Sequence, residues 1–485
     1  MGNSKKNRER SMTVDYQEYL SYAQHHRVVP IYRIFEEDLL TPMGIYASLE
    51  KCSPSYILES VGDPRDLGRF SFIGLETTPL TGDRDNLTLE AIETALKGYR
   101  GPQISELPQG YASIIGYMAY HAVEDIHPIK LLNRPRIPKY RFMFSKTVIV
   151  LDHLKHRLII ICNVLNPGPE DYRGAVDRIH EIYATLKEEP LKPLKAKPAG
   201  PPLVFQSRFS RADYLGAVKK ARELIVAGDI FQVVLSRKFT ARGKIDGFSL
   251  YRELRRENPA PYLSYIRFPD YEILSSSPEM LVRMTPDLVE TAPIAGTRAV
   301  KNDGRDLQRE EELLQDEKDL AEHLMLVDLG RNDLGKISEA GTVRVKEFQK
   351  VRQFSRVMHL VSRVEGRPLG NLNAIDALRA VFPAGTVTGA PKLRAMEIID
   401  ALEPEARDLY AGAVVLMDQS GHLNSSISIR TIQLREDEII VQAGGGIVHD
   451  SNPHHEYTEI ENKARAMFKA IEKAYEGEVH YDCDH

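Results

Sequence analysis

Short β-rich segments bounded by turns, alternating with helical segments, constrain the fold of this chain more than any other feature. Strands are predicted over residues 146–151, 157–162, 230–240, 261–268, 272–276, 280–284, 411–417, 425–434 and 438–443. One helix is predicted to begin after the capping residue Ser210 and to end at Gly228, and another covers residues 392–402 after Pro391. Strands of this length and spacing indicate an α+β fold in which helices pack against large antiparallel sheets.

A proline-rich stretch over residues 190–202 divides the chain. Its repeated prolines exclude a regular helix and favour an extended strap. We therefore predict an N-terminal region over residues 1–189, a linker over 190–204, a main domain over 205–475 and a tail over 476–485.

The composition is that of a globular protein with a sizeable core, because 42% of the 485 residues are apolar and 27% are charged. A net charge of −5 gives no reason to expect nucleic acid or an anionic membrane as a partner. No apolar run approaches the roughly 18 residues that span a bilayer, and no secretory signal or phosphate-binding glycine loop is recognisable. The scattered Cys52, Cys162 and Cys483 indicate a reducing compartment. We therefore predict a cytoplasmic protein.

Two pairs of acidic residues point to chemistry. Asp319 and Glu322 are three residues apart in one predicted helix, and Glu456 and Glu459 are three apart in another. That spacing places both side chains of a pair on one helix face. If the two helices face each other, four mutually repelling carboxylates converge, which favours binding of a hard cation such as Mg2+. The alternative is that both faces are simply solvated.

Other candidate groups each have a structural alternative. Gly444, Gly445 and Gly446 could let the backbone approach an anion, or could form a tight turn at the end of a strand. Arg430 lies in a predicted strand and could bind a carboxylate from its inner face, or could be a surface arginine. His359 between apolar residues could carry a proton or be a core histidine.

A loop rich in small residues, 383–392, carries two further hydroxyls. Thr386 and Thr388 could bind a substrate or could only bond the turn itself.

Seven motifs occur in an order that resembles the chorismate-utilising enzymes, and within them the large subunits of anthranilate synthases. These motifs cover residues 293–298, 321–333, 357–359, 383–392, 428–430, 443–446 and 462–466. The resemblance extends from about residue 205 to 472, and more loosely over the N-terminal third through residues 56–60 and 69–74. It implies an α/β sandwich of two lobes, with large antiparallel sheets packed face to face and helices on the outside. It also implies that residues 205–475 form the catalytic domain.

The implied activity is Mg2+-dependent conversion of chorismate and ammonia to anthranilate and pyruvate. The resemblance assigns the metal to Glu322 and Glu459, with Asp319 and Glu456 nearby. Because the family usually has glutamate where this chain has Asp319, an outer, water-mediated role is expected there. The positions that match those holding the substrate are Gly296, Thr297, Tyr410, Arg430, Gly444, Gly445, Gly446 and Lys463.

Catalytic roles follow from the same resemblance. Glu279 matches the general acid that protonates the departing 4-hydroxyl, His359 matches the residue of the pyruvate-releasing step, and Thr386 matches a hydroxyl beside the ring. Gln232 stands where relatives that add water have lysine, which fits an enzyme that adds ammonia. Ala295 stands where aminodeoxychorismate synthases typically have lysine.

The implied partners include a separate glutamine amidotransferase subunit, because no amidotransferase nucleophile motif surrounds any cysteine. The assembly is expected to be a heterotetramer. Tryptophan is the implied feedback inhibitor, and Arg69 is a weaker candidate for its surroundings. The positions that resemble its pocket are Glu59, Ser60, Pro261, Tyr262 and Leu263. For Glu59 and Ser60 the alternative is an ordinary strand end.

Three rival functions remain. An aminodeoxychorismate synthase component I would stop after amination, and Ala295, Glu59 and Ser60 oppose it. An isochorismate or salicylate synthase is opposed by Gln232. A catalytically silent, tryptophan-sensing protein would be expected to have lost catalytic residues such as Glu279.

Overall fold

The protein is described by a computed structural model that covers residues 14–53, 55–60, 67–80, 87–188, 200–301, 303–353 and 357–481. Residues 190–199 of the predicted linker, and Cys483 in the predicted tail, lie outside the described residues. None of the described helices is long and apolar enough to cross a membrane.

Helices and strands alternate along the described chain. The helices are α1 Tyr16–Ala23, α2 Pro42–Ser48, α3 Leu89–Gly98, α4 Val123–Ile126, α5 Asp171–Glu188, α6 Arg211–Val226, α7 Gly247–Glu257, α8 Asp306–Gln315, α9 Glu317–Gly335, α10 Ala374–Val381, α11 Lys392–Leu402 and α12 Pro453–Ala474. The strands are β1 Val28–Glu36, β2 Tyr56–Glu59, β3 Phe70–Pro79, β4 Ile114–Met118, β5 Tyr140–Asp152, β6 Arg157–Leu165, β7 Leu203–Phe205, β8 Gln232–Arg242, β9 Tyr262–Phe268, β10 Tyr271–Ser277, β11 Met280–Thr285, β12 Leu288–Thr291, β13 Ile294–Ala299, β14 Arg344–Gln353, β15 Val357–Gly366, β16 Gly389–Ala390, β17 Ala413–Met417, β18 Leu423–Ile427, β19 Thr431–Arg435, β20 Glu438–Ile447 and β21 Val479–Tyr481.

The sheet divides at β5. One edge of β5 pairs with β3, and its other edge pairs with β4 and β6 at different ends. From β3, a first branch runs through β2, β9, β10, β19 and β20 to β8. From β4, a second branch runs through β17, β18, β11, β12 and β15 to β14. All of these pairings are antiparallel, whereas β7 and β21 form a separate parallel pair.

The two branches pack face to face through an apolar and aromatic layer. Tyr117 of β4 lies 5.7 Å from Phe268 of β9 and 5.9 Å from Tyr271 of β10, measured between ring centroids. Ile266 of the first branch and Val414 of the second belong to the same buried cluster. Each branch therefore buries one face against the other, as in a β-sandwich.

Helices cover the outer faces of both branches. Val441 of β20 shares a buried cluster with Met467 and Ile471 of α12, and Val415 of β17 shares another with Leu378 of α10. The predicted α+β fold, with large antiparallel sheets packed face to face and helices outside, is confirmed.

Local sequence signals fix several boundaries. The Ser210 side chain accepts a hydrogen bond from the Asp213 N–H and caps α6, and Gly228 has the positive φ of +82° that ends that segment. The predicted helix over 392–402 is confirmed. The single strand predicted over 425–434 is wrong, because β18 ends at Ile427 and β19 begins at Thr431. The turn between them places Arg430 at φ +51°.

Candidate active site

The four acidic residues lie in the first two turns of α9 and α12. Asp316 caps α9 by accepting a hydrogen bond from the Asp319 N–H, and Asn452 caps α12 through the N–H groups of His454 and His455. Helix N-termini stabilise negative charge because of the helix dipole and the free N–H groups. Each acidic pair therefore occupies a position that its helix favours for a carboxylate.

The two acidic pairs interact electrostatically across the helices. Burial raises the pKa of Glu322, and the charges of Glu459 and Asp319 raise it further, against the opposing effects of Gln232 and Lys463. Burial also raises the pKa of Glu456, as does Glu459 to a smaller extent. Glu322 is thus within electrostatic reach of both Glu459 and Asp319, and the alternative of fully solvated faces does not hold for the buried Glu456.

The acidic residues leave one buried carboxylate oxygen that a cation could satisfy. Oε2 of Glu456 is buried and has no hydrogen-bond partner in the described part of the chain. Lys463 pairs with Glu459 at 2.6 Å, and Arg298 pairs with Asp319 at 2.8 Å. Among the described residues, no group of three or more acidic, histidine or cysteine side chains is arranged to hold a metal ion. This donor set suits Mg2+, which usually keeps several waters and binds substrate oxygens.

Gln232 and the glycines of β20 lie directly beside these carboxylates. Nε2 of Gln232 donates to Oε1 of Glu322 at 2.9 Å. A Cβ atom on Gly446 would lie 2.6 Å from that nitrogen, and one on Gly445 would lie 3.6 Å from Oε2 of Glu456. A side chain at position 446 would therefore displace the Gln232 amide from its present place beside Glu322.

The glycine segment is part of a strand, so the suggested turn at the end of the strand is wrong. β8 pairs with β20 through Ile447, whereas β19 pairs with it only through Val441. β19 therefore does not extend along Gly444–Gly446. The edge of this segment that faces away from β8 is not covered by β19. Backbone groups at such an edge can bind a ligand in an extended arrangement.

Arg430, Tyr410 and Lys463 surround the first of these glycines. A Cβ atom on Gly444 would lie 2.4 Å from the Tyr410 hydroxyl, and Nζ of Lys463 donates to the Gly444 carbonyl at 3.1 Å. Arg430 donates to the backbone carbonyl of Lys463. Arg430 lies in a bend, and its left-handed backbone conformation is costly for a non-glycine residue. Such strain is found preferentially at functional sites.

Glu279 is buried between β10 and β11, with 6% of its surface exposed. Burial raises its pKa to about 8, while Thr386, the backbone of Ile294 and the charge of Lys463 lower it. Glu279 and Thr386 line the same small cavity. A carboxyl in this environment holds its proton at neutral pH and can donate it, which is the property of a general acid.

His359 lies on β15 opposite Thr297 of β13. Its Nδ1 lies 3.0 Å from Oγ1 of Thr297 and 3.1 Å from the carbonyl oxygen of Gly296. Burial lowers the His359 pKa to about 4, with smaller contributions from Arg430 and Lys463. His359 is therefore neutral at pH 7 and can accept a proton. Gly296, at φ +67°, lies beside Asp319 and links His359 to the acidic residues.

The predicted effector residues are brought together in part. Glu59 of β2 is the register partner of Leu263 of β9, so Tyr262 and Leu263 lie beside the end of β2. The Glu59 carboxylate is buried, pairs with Arg255 at 3.0 Å and accepts a hydrogen bond from Tyr251 at 3.1 Å. Burial raises the Glu59 pKa, and Arg255 lowers it.

A groove of about 680 Å3 adjoins this region among the described residues. It is lined by Glu59, Ser60 and Arg69, and Arg69 is itself held by Asp152 at 2.9 Å. Ser60 follows β2, and Pro261 precedes β9.

One residue that contacts the acidic residues of the candidate active site received no role in the sequence analysis. Arg298 forms ion pairs with both Asp316 and Asp319 at 2.8 Å, and so connects β13 to the start of α9. Its position directly after Gly296 and Thr297 was the available signal. Ala295 is buried in β13 and pairs with Leu360 of β15.

The residues from 55 to 469 match the chorismate binding enzyme family. The chain belongs to this family and, within it, to the anthranilate synthase component 1 proteins. It is 39% identical to the anthranilate synthase component 1 of Acetivibrio thermocellus, over 94% of this chain and 97% of that protein. Identity to the corresponding protein of Aquifex aeolicus is 37%, over 96% of this chain and 99% of that protein.

Solved structures agree with this assignment. The crystal structure of anthranilate synthase component I from Streptococcus pneumoniae TIGR4 is 36% identical, has a TM-score of 0.74, and covers 82% of this chain and 92% of its own. The menaquinone-specific isochorismate synthase of Escherichia coli is 20% identical, with a TM-score of 0.72 over 94% of this chain and 98% of its own. This second likeness concerns the fold alone.

Proposed function

We propose that this enzyme converts chorismate and ammonia to anthranilate and pyruvate in a Mg2+-dependent reaction. The main supporting observation is the combination of a buried Glu279, which retains its proton near pH 7, with the acidic residues of α9 and α12, where Glu322 interacts with Glu459 and Asp319. The first group can supply a proton to a leaving group, and the second can hold a cation beside an anionic substrate. Membership of the family supports chorismate as that substrate.

Glu322 and Glu459 would hold the magnesium ion, with Glu456 and Asp319 nearby. When bound, the ion neutralises a substrate carboxylate and orients it. Arg298 keeps the Asp319 carboxylate in an ion pair at 2.8 Å, which supports an outer role for this shorter side chain. Gln232 donates to Glu322 and fixes the orientation of that carboxylate.

Substrate carboxylates would be bound on the side of the glycine strand. Arg430 offers a planar guanidinium, and burial lowers its pKa, which reflects the cost of burying a cation. Tyr410 and Lys463 lie beside Gly444 and add two further donors. Gly445, Gly446, Gly296 and Thr297 complete the set of proposed contacts.

The reaction has two steps. In the first, ammonia attacks ring C2, the 4-hydroxyl leaves as water with the proton that Glu279 donates, and the added ammonium group loses a proton. In the second, C2 loses a proton and the C3–O bond breaks, so that the ring becomes aromatic; the enolpyruvyl group leaves as an enolate and takes up a proton to become pyruvate. His359 is neutral and so can accept the C2 proton, as a weak base whose pKa burial lowers to about 4. Thr386 lies beside Glu279. Gln232, unlike the lysine of relatives that add water, cannot act as a base that deprotonates water, which favours ammonia as the nucleophile.

The ammonia would come from a separate glutamine amidotransferase subunit in a heterotetrameric assembly. The designation of the relatives as component 1 supports a partner component. We propose tryptophan as feedback inhibitor, bound near Glu59 and Ser60 with Pro261, Tyr262 and Leu263. In that case the effector's ammonium would have to share Glu59 with Arg255. The proposed location is the cytoplasm.

The test uses the purified chain with chorismate, Mg2+ and an ammonium salt at mildly alkaline pH. Anthranilate fluorescence is recorded with and without tryptophan, and the protein contributes no tryptophan signal because it has none. Formation of anthranilate that requires Mg2+ is expected, with suppression by tryptophan. Consumption of chorismate without anthranilate would contradict the proposal and favour aminodeoxychorismate or isochorismate formation.

A further inference from the structure

The segment 383–391 between α10 and α11 carries Thr386, yet the residues that hold this segment have no role in the proposed reaction. Lys392, the first residue of α11, donates from Nζ to Oδ2 of Asp333 at 2.9 Å and to the carbonyl oxygen of Val381 at 2.9 Å. Asp333 lies in the last turn of α9, the helix that carries Glu322. One ammonium group therefore connects both ends of the Thr386 segment to the acidic helix.

We propose that the Lys392–Asp333 ion pair is a positioning device that sets the place of Thr386 against Glu279. This inference rests on the proposed function, in which Glu279 is the general acid. Lys392 and Asp333 are positioning residues, because neither is expected to touch chorismate.

The pair is buried, which makes its geometry specific. The side chains of Lys392 and Asp333 are only 11% and 8% exposed. Burial lowers the Lys392 pKa, and Asp333 opposes this effect. A buried cation is stable only when it is paired and hydrogen-bonded, so Lys392 has little freedom to leave Asp333 and the Val381 carbonyl.

The segment also packs directly on α9 and shares a cavity with the acid. A Cβ atom on Gly385 would lie 1.9 Å from Cδ2 of Leu329 in α9, so the segment and the helix are in close contact there. Glu279, Thr386 and Asp333 line the same small cavity. Movement of the segment relative to α9 therefore changes the position of Thr386 beside Glu279.

Other anchors hold the far side of the segment. The Arg407 guanidinium donates to the Val387 carbonyl at 2.7 Å, and the Val234 N–H donates to the Thr388 carbonyl at 2.8 Å. The Val234 contact fixes the segment to β8, and the Arg407 contact fixes it to the connection between α11 and β17; neither residue belongs to α9. Loss of Lys392 is therefore expected to loosen one side of the segment without releasing it.

The experiment compares Lys392→Met with Lys336→Met in the full chain. Lys336 is the matched control, because its Nζ pairs with the other oxygen of Asp333 at 2.9 Å while its side chain is 53% exposed. Displacement of a reacting group by about 1 Å can cost about 100-fold in rate. We expect Lys392→Met to lower kcat by about 100-fold with a change in KM for chorismate of less than about threefold, and Lys336→Met to change kcat by less than about twofold.

The pH profile separates positioning from a merely structural effect. Thr386 lowers the Glu279 pKa, so displacing Thr386 should raise it, while the Ile294 backbone and Lys463 keep their influence. The basic limb of kcat/KM should therefore move to higher pH in Lys392→Met and stay in place in Lys336→Met. Partial recovery of kcat in Lys392→Arg, which keeps the charge, is also expected. Equal kcat and unchanged pH profiles in the two methionine variants would overturn the inference.

Hydrogen–deuterium exchange of the free protein tests the same inference without any catalysis. Amides of residues 384–390 should exchange at least about tenfold faster in Lys392→Met than in Lys336→Met, while those of β8 remain protected. Asp333→Asn should give the same exchange pattern if Lys392→Met itself does not fold. If anthranilate is not formed by the unmodified chain but this exchange difference is present, the proposed function fails and the positioning device stands. If exchange is the same in both variants, the positioning device is wrong.

Discussion

Two groups of buried charges lie along the same strand, β8, and they are organised in opposite ways. At its start, Gln232 donates to Glu322, whose pKa is raised by burial and further by the charges of Glu459 and Asp319. Six residues further on, Lys238 pairs with Asp408 at 2.9 Å, and both side chains are 2% exposed. The neighbouring Arg407 pairs with Glu403 at 2.6 Å.

Further hydrogen bonds with backbone and hydroxyl groups satisfy the charges of the second group. The N–H and hydroxyl groups of Ser236 both donate to Oε1 of Glu403 at 2.8 Å. Arg407 also donates to the carbonyl oxygens of Val387 and Val234. Every charge here has an internal partner, so this group forms a rigid base for β8, whereas the carboxylates at the start of β8 are suited to a cation. The comparison separates charges that maintain the structure from charges that we propose bind a ligand.

The largest expected effect is on activity, at the acid of the site. Glu279→Gln removes the donated proton and should lower kcat about 1000-fold. In the unmodified enzyme, kcat/KM should fall above about pH 8, where Glu279 loses its proton. Steady-state kinetics from pH 6 to 10 check both expectations. Glu272→Gln, on the preceding strand, should retain activity within about threefold, and an equal loss there would contradict the role of Glu279.

The next largest effect is on stability, and it concerns the second group, in which every charge has an internal partner. Lys238→Met leaves Asp408 buried without its cation, which should lower the free energy of unfolding by about 3–5 kcal/mol. Urea unfolding followed by circular dichroism measures this. Arg394→Met breaks an exposed pair with Glu397, where Arg394 is 45% exposed, and should cost less than about 1 kcal/mol. Similar losses in both variants would show that burial does not make the Lys238–Asp408 pair more important for stability than an exposed pair.

His359 gives a pH-dependent effect. Its pKa is lowered from 6.5 to about 4 in the folded protein, so the unfolded chain binds the proton more tightly. Its contribution to stability is present above pH 6.5 and is lost as the pH falls towards 4, by about 3 kcal/mol in total. Urea unfolding between pH 7 and 4.5 should show a smaller loss for His359→Gln than for the unmodified chain. Parallel losses would show that His359 is not buried as described.

The smallest effect has the opposite sign. Burial raises the Glu322 pKa in the folded state, so the carboxyl favours folding at low pH and this contribution is lost as the pH rises through its folded pKa. Glu322→Gln should therefore stabilise the metal-free protein at pH 8 by about 1 kcal/mol. Activity should be lost, and Mn2+ binding followed by electron paramagnetic resonance should weaken. Destabilisation by this change would show that Glu322, like the charges around Lys238 and Arg407, maintains the structure.

Sequence patterns were sufficient where a structure depends on neighbouring residues. The capping residue Ser210, Gly228 and the helix over 392–402 follow from local backbone chemistry. The i, i+3 spacing indicated that Glu322 shares a helix face with Asp319. The facing arrangement of α9 and α12 was only a condition in that argument, because no local pattern fixes how two distant helices pack.

The sequence failed where distant partners decide the conformation. Arg430 interrupts a predicted strand, because its carbonyl pairs with the Ser276 N–H and its guanidinium reaches Lys463 in α12. The glycines continue β20, because β8 pairs with them along their whole length. No periodic pattern in the sequence indicates these long-range contacts.

By itself, the sequence determined the class of the fold, its local boundaries and the motifs from which a chorismate-utilising enzyme was inferred. Only the tertiary structure decided that Glu59 pairs with Arg255 and that Glu279 is buried deeply enough to hold its proton. It also decided that Lys392 joins α11 to α9. The physical reason is that hydrogen-bonded helices and turns depend on residues near in sequence, whereas burial and charge balance depend on groups that folding brings together.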